Sequence, residues 1–155
     1  MARREDEKLR ASEVRREIGA QHHALRERLA GIDSLVKEFD RAGEGAPDLA
    51  TRLHDHAFGL YESFRAHLGS EQTLLEPALR RAGEAGLKLA RRLANEHHEQ
   101  RELMKYLIAR LDQHPEPTLT MVRELEHFAR FLRFEMDQEE QTMLAPGLLE
   151  EGDGR

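Results

Sequence analysis

A chain of 155 residues is the size of one ordinary domain and can bury a single core. Charged residues make up 35% of it, aromatics only 5%, and there is no Trp, which argues against sheet and for long helices with polar faces. The net charge of -6 argues against a general nucleic-acid binder, and the lack of cysteine excludes disulfides, thiolate ligands and a Cys nucleophile.

No stretch approaches the roughly 18 apolar residues of a membrane span. The opening Met1-Ala2-Arg3-Arg4-Glu5-Asp6-Glu7-Lys8 has no apolar signal core, so a cytoplasmic protein without membrane partners is expected. The basic pairs Arg80–Arg81 and Arg91–Arg92 read as solvated helix faces.

Three breaks divide a helical pattern: Gly43-Glu44-Gly45-Ala46-Pro47, Gly83-Glu84-Ala85-Gly86 and His114-Pro115-Glu116-Pro117. They predict one domain over 1–155 with helices at about 8–42, 47–82, 87–113 and 117–149. Pro47 and Pro117 suit first helical turns, and Pro77 should kink the second helix near its end. The first ten residues and the tail from Glu151 are expected to be loose ends.

Each segment carries an apolar face at helical period. In chain order the faces are Ile18, Leu25, Leu29, Ile32 and Val36; then Leu53, Ala57, Leu60, Phe64, Leu74, Leu75 and Ala78; then Leu89, Leu93, Met104, Leu107 and Leu111; then Met121, Leu125, Phe128, Leu132 and Met143. Short connections make sequential helices antiparallel neighbours, so the expected fold is an all-α, up-down-up-down antiparallel four-helix bundle.

Polar residues interrupt every one of these faces. His22 lies within about 40° of the first apolar stripe, His67 and Glu71 fall between Phe64 and Leu74, His97 lies between Leu93 and Met104, and Glu135 and Glu139 lie between Leu132 and Met143. Two residues on antiparallel neighbours are level when they are equidistant from the connecting loop. The midpoints of His22 with His67, His67 or Glu71 with His97, and His97 with Glu135 all fall in or beside the three breaks, so the six groups share one layer. One inward His is most simply part of an internal hydrogen-bond network. Three His and three Glu converging in one layer instead form a ligand set for iron, manganese or zinc, larger than one tetrahedral zinc needs. The Glu-x-x-His spacing of ferritin-like sites occurs once, at Glu124–His127, and neither a zincin motif nor a Ser nucleophile constellation is visible.

The order His22, His67-Leu68-Gly69-Ser70-Glu71, His97 and x-x-x-Glu139 resembles the haemerythrin-like (HHE cation-binding) family over nearly the whole chain. The surrounding segments match too: Gln21-His22-His23-Ala24-Leu25, Gln72 to Pro77, Glu96-His97-His98 and Glu135 to Leu144. The resemblance implies two non-haem irons with an oxo or hydroxo bridge, held by His22, His67, Glu71, His97 and Glu139, the His-x-x-x-Glu carboxylates bridging. Zinc and manganese are alternatives.

There are two departures. Glu135 stands where the family has His and is expected to be a ligand itself, and Arg101 stands where oxygen carriers have a further His. His23–Glu27 and His98–Glu102 show similar spacing but lie about 100° off the apolar faces and are read as surface. His54 and His114 are placed at a boundary or loop, and Tyr61 and Tyr106 receive no redox role. A carboxylate-rich site stabilises ferric iron. The expected function is therefore reaction with O2 or peroxide, in sensing or detoxification, with reversible O2 or NO binding or iron sequestration as the alternative. Whether the chain is an enzyme, and its oligomeric state, stay open.

Overall fold

A computed structural model describes residues 2–43, 48–113, 118–145 and 147–151. Among them there is no strand. Helix α1 spans Ala2–Ala42, so the first ten residues continue a helix rather than forming a loose end. It stops at Gly43, whose φ of +75° is cheap for glycine and whose N–H donates to the Phe39 carbonyl at 2.7 Å.

Helix α2 spans Leu49–Ser70. It opens after Asp48, which takes a φ of +66° and accepts the Arg52 N–H at 2.9 Å. Pro47, expected in its first turn, lies outside the described residues. The helix runs on into a π-helical turn at Glu71–Leu75 and then α3, Glu76–Arg80. The expected disturbance at Pro77 thus takes the form of a widened turn before it. Pro77 has no N–H for a carbonyl four residues back, and the Glu76 N–H donates five residues back to Glu71. The extra residue in the turn rotates the side chains on its C-terminal side. Leu75 is buried, but Leu74, expected in the core, is exposed.

Helix α4 spans Gly83–Gln113, which corrects the second break. The chain turns at Arg81–Ala82, and the Gly83–Gly86 segment is the first turn of the helix. Gly86 is needed for contact rather than for turning, because a Cβ there would stand 2.1 Å from the Leu79 carbonyl oxygen. Helix α5 spans Leu119–Gln141 and is capped by Thr118, whose side-chain oxygen accepts the Met121 N–H at 3.3 Å. The third break, His114 to Pro117, lies outside the described residues. The last predicted helix also stops early. Beyond Gln141 the chain turns, the Leu144 N–H donating to the Glu139 carbonyl at 2.8 Å, and a short α6 comes next at Leu148–Glu151.

Helix α1 packs on α2 and α5, α4 packs on α2, α3 and α5, and α6 on α1. The buried side chains form two apolar clusters. One holds Leu25, Leu29, Ile32, Phe64, Leu68, Met104, Leu132 and Met136 among others; the second holds Val14, Ile18, Leu75, Leu79, Leu93, Met143 and Leu149. On every long helical segment the boundary between the clusters is a buried polar residue. It is His22 on α1, His67 and Glu71 on α2 and the π turn, His97 and Gln100 on α4, and Glu139 on α5. No described helix is long and apolar enough to cross a membrane.

Candidate metal centre

Spacing of four residues puts His67 and Glu71 on one helical face, and His67 Nε2 lies 2.9 Å from Glu71 Oε1. His22 comes across from α1, its ring 4.9 Å from that of His67 and nearly edge-on, at 66°. Glu139 reaches in from α5, with its Oε2 3.4 Å from His22 Nε2. One ligand atom from each of His22, His67, Glu71 and Glu139 lies within 4.8 Å of every other, and all four residues are buried. His97 joins this group through Glu71, its Nε2 3.3 Å from Glu71 Oε1.

Glu135 is placed differently. It is half-buried, one turn before Glu139, and sits beside Glu96 of α4, outside the four-residue group. The structure therefore brings five of the six expected residues into contact and leaves the sixth at the edge of the layer. Arg101 packs with Tyr61, Arg65 and Lys105 along a groove between α2 and α4. Gln100, rather than position 101, faces inward after His97. Of the side pairs, His23 and Glu27 are strongly exposed and bonded to each other, and His98 is exposed. His54 pairs with Asp112 at the boundary, and His114 lies outside the described residues.

The electrostatics are those of a compressed acid cluster. Burial would push Glu71 up, but hydrogen bonds with Glu139, His67 and His97 outweigh it and hold its carboxylate far below the usual range. Glu139 is pushed well up by burial, by its hydrogen bond with Glu71 and by repulsion from Glu71, Glu96 and Glu135. Without a cation, Glu139 is thus the one that carries a proton. Burial and the neighbouring His67 lower His22, so its imidazole is neutral, the form that ligates metals. Glu135 is raised to about 7 by burial and by Glu96.

Among the described residues, three buried polar atoms lack a hydrogen-bond partner: His22 Nε2, Glu71 Oε2 and Glu135 Oε2. Burying such atoms unpaired costs of order 1–3 kcal/mol each, and a cation would satisfy them. Donors bound at about 2.1 Å to a common ion can be at most about 4.2 Å apart. One donor atom from each of the four residues already lies within 4.8 Å of the others, so a modest inward movement of side chains would let them share a first-row metal.

Sequence reasoning missed the residues that hold the two buried imidazoles. Gln21 Oε1 lies 2.8 Å from His67 Nδ1, Glu140 Oε1 lies 3.2 Å from His22 Nδ1, and Arg26 clamps Glu140. The available signal was adjacency, since Gln21 and Glu140 each neighbour a ligand candidate in the chain.

A helical bundle with a layer of buried imidazoles and carboxylates between two apolar clusters belongs to the class of metal-binding helical proteins. The family model described as the hemerythrin HHE cation binding domain matches residues 5–145, and the chain belongs to that family. No curated protein and no solved structure gives a significant match.

Proposed function

We propose that this chain is a di-iron protein that reacts with O2 or peroxide in redox sensing or detoxification. The observation that carries the proposal is the buried group of His22, His67, Glu71 and Glu139, with His22 Nε2 and Glu71 Oε2 unpartnered. One ion would take those four residues. A second would take His97, and Glu135 with its unpartnered Oε2, with Glu71 and Glu139 between the two positions.

Support for the up-down-up-down arrangement comes from cross-helix pairs. Arg26, Asp33 and Asp40 along α1 meet Asp137, Arg133 and Arg123 of α5, numbers that rise on one helix as they fall on the other. The pairs His22–His67 and Glu38–Arg52 run the same way between α1 and α2, as do His97–Glu71 and Asp112–His54 between α4 and α2.

When bound, the iron pair supplies electrons and open coordination positions for a small oxidant. The chain supplies the rest. Carboxylates outnumber imidazoles at the second position, and hard oxygen donors favour the ferric state. The flanking apolar clusters exclude bulk water and larger substrates. Before metal binds, Glu135 at the rim of the layer is raised to about 7 by burial and by Glu96, so taking up the second ion would release its proton. The reading includes a cytoplasmic protein without membrane or nucleic-acid partners, the latter in keeping with a net charge of -6.

A second reading is reversible O2 or NO binding, or iron sequestration, without turnover. It is favoured by the depth of the site, where His22 is 0% and Glu71 1% exposed. Metal content, optical spectrum and peroxide consumption of protein purified in air distinguish the readings. The proposal expects two irons per chain, a charge-transfer spectrum that bleaches on reduction, and peroxide turnover. A stable, reversible oxygenated spectrum with no peroxide consumption would overturn it in favour of the second.

A further inference from the structure

The two imidazoles of the four-residue group are backed by different chemistry. His67 Nδ1 faces the neutral amide oxygen of Gln21 at 2.8 Å. Gln21 is itself held through its amide nitrogen, which donates to Ser70 Oγ at 3.1 Å and Glu17 Oε1 at 3.0 Å. His22 Nδ1 instead faces a carboxylate, Glu140 Oε1, at 3.2 Å. Arg26 grips both oxygens of that carboxylate, at 2.8 and 2.7 Å, and its Nη2 also donates to Asp137 Oδ1 at 2.8 Å.

A guanidinium fork on two carboxylate oxygens is a stiff, charge-assisted contact. It keeps Glu140 ionised and aimed. An ionised carboxylate can only accept, so the proton of the neutral His22 ring sits on Nδ1 and the lone pair on Nε2. That Nε2 is the buried nitrogen without a partner, turned toward Glu139.

We infer that Glu140, clamped by Arg26, is a positioning residue that fixes His22 as an Nε2 donor and makes it the more electron-rich of the two imidazoles. The metal centre is therefore lopsided, with a charged support on the α1–α5 side and a neutral one on the α1–α2 side. Negative charge behind a ligating ring raises its basicity and stabilises the higher oxidation state of the bound ion, while an amide orients the ring without adding charge.

The inference rests on the metal centre proposed above, and its test separates the two. Iron(II) affinity by chelator competition, the midpoint potential of the iron-loaded protein, and imidazole nitrogen NMR of the metal-free protein are measured together. Glu140→Gln keeps the size of the side chain and removes its charge; it should weaken iron binding by roughly 10–100-fold and raise the potential. Gln21→Glu adds charge behind His67 and should lower the potential. Arg26→Gln, at the half-exposed end of the clamp, leaves the Glu140 charge in place but frees it, so it should weaken iron binding by less than Glu140→Gln without raising the potential, and serves if that variant folds poorly. In the metal-free wild type, His22 should be the Nδ1–H tautomer.

Affinity and potential in Glu140→Gln within error of an iron-binding wild type would overturn the inference, as would an Nε2–H tautomer of His22. A wild type that takes up no iron yet shows the Nδ1–H tautomer overturns the metal centre itself, an outcome distinct from the failure of Glu140 alone.

Discussion

Glu71 Oε1 stands 2.9 Å from His67 Nε2, within its own helical segment, and the same oxygen lies 3.3 Å from His97 Nε2 of α4. The Glu71 carboxylate is thus the junction between the two sides of the site. Its second oxygen is buried and unpartnered. Glu71→Gln should keep the shape of the junction while removing its charge. Since losing a mere support of a ligand costs 10–100-fold in affinity, iron affinity should drop by more than about 100-fold. Titration with iron(II) under nitrogen checks this, with circular dichroism confirming that the helices persist.

Metal binding should stabilise the fold, because the donors come from α1, the α2 segment, α4 and α5 and meet only in the native state. At a free metal concentration of 100 times Kd the gain is about 2.7 kcal/mol. For a domain of this size that corresponds to a rise in Tm of about 5–10 °C. Calorimetry with and without metal measures it. In His22→Ala the rise should shrink or vanish, whatever the variant does to the metal-free Tm.

In the metal-free protein Glu135 and Glu139 together work against stability as pH rises, and outweigh the single His22, lowered by burial, which works the other way below pH 6.5. Both carboxyls have folded-state pKa values raised above 4.5, Glu135 to about 7. Between those values the folded state binds more protons than the unfolded one, so stability falls as pH rises. Metal-free wild type should therefore lose Tm from about pH 5 to pH 7.5. Glu135→Gln should lose less, and its advantage over wild type should grow with pH. Equal pH slopes for the two proteins would contradict the half-buried, Glu96-facing environment of Glu135.

Glu135→His tests whether this residue is a ligand at all. An imidazole there should shift the charge-transfer spectrum and move the iron-loaded protein toward reversible O2 binding. Unchanged spectra and reactivity would place Glu135 outside the metal's coordination.

Far from the metal, Gly86→Ala should destabilise the protein. Its Cβ would meet the Leu79 carbonyl oxygen at 2.1 Å and the Ala82 side chain at 2.8 Å, forcing α3 and α4 apart. Overpacking of this kind costs about 1–3 kcal/mol. The loss should appear in thermal melts of the metal-free protein, with iron stoichiometry unchanged.

Helical period and loop position are local properties of the chain, so much could be read from the sequence alone. The apolar stripe through Ile18, Leu25, Leu29, Ile32 and Val36 is buried along its length, and His22, His67, Glu71, His97 and Glu139, which interrupt the four stripes, lie where the two apolar clusters meet. The family resemblance read from those residues agrees with the family model that matches residues 5–145. What the tertiary structure decided depends on how helices rotate against one another, which a 100° rule cannot resolve. The π turn at Glu71–Leu75 turned Leu74 outward, and Gly86 proved to be a close approach inside a helix rather than a break. Glu135, equally inward by period, came to rest against Glu96, while Gln21 and Glu140, each one residue off the inner face, support the two imidazoles. A side chain 100° from the core axis lies at a helix–helix seam, and only the packing of the neighbouring helix determines whether it meets water or the back of a ligand.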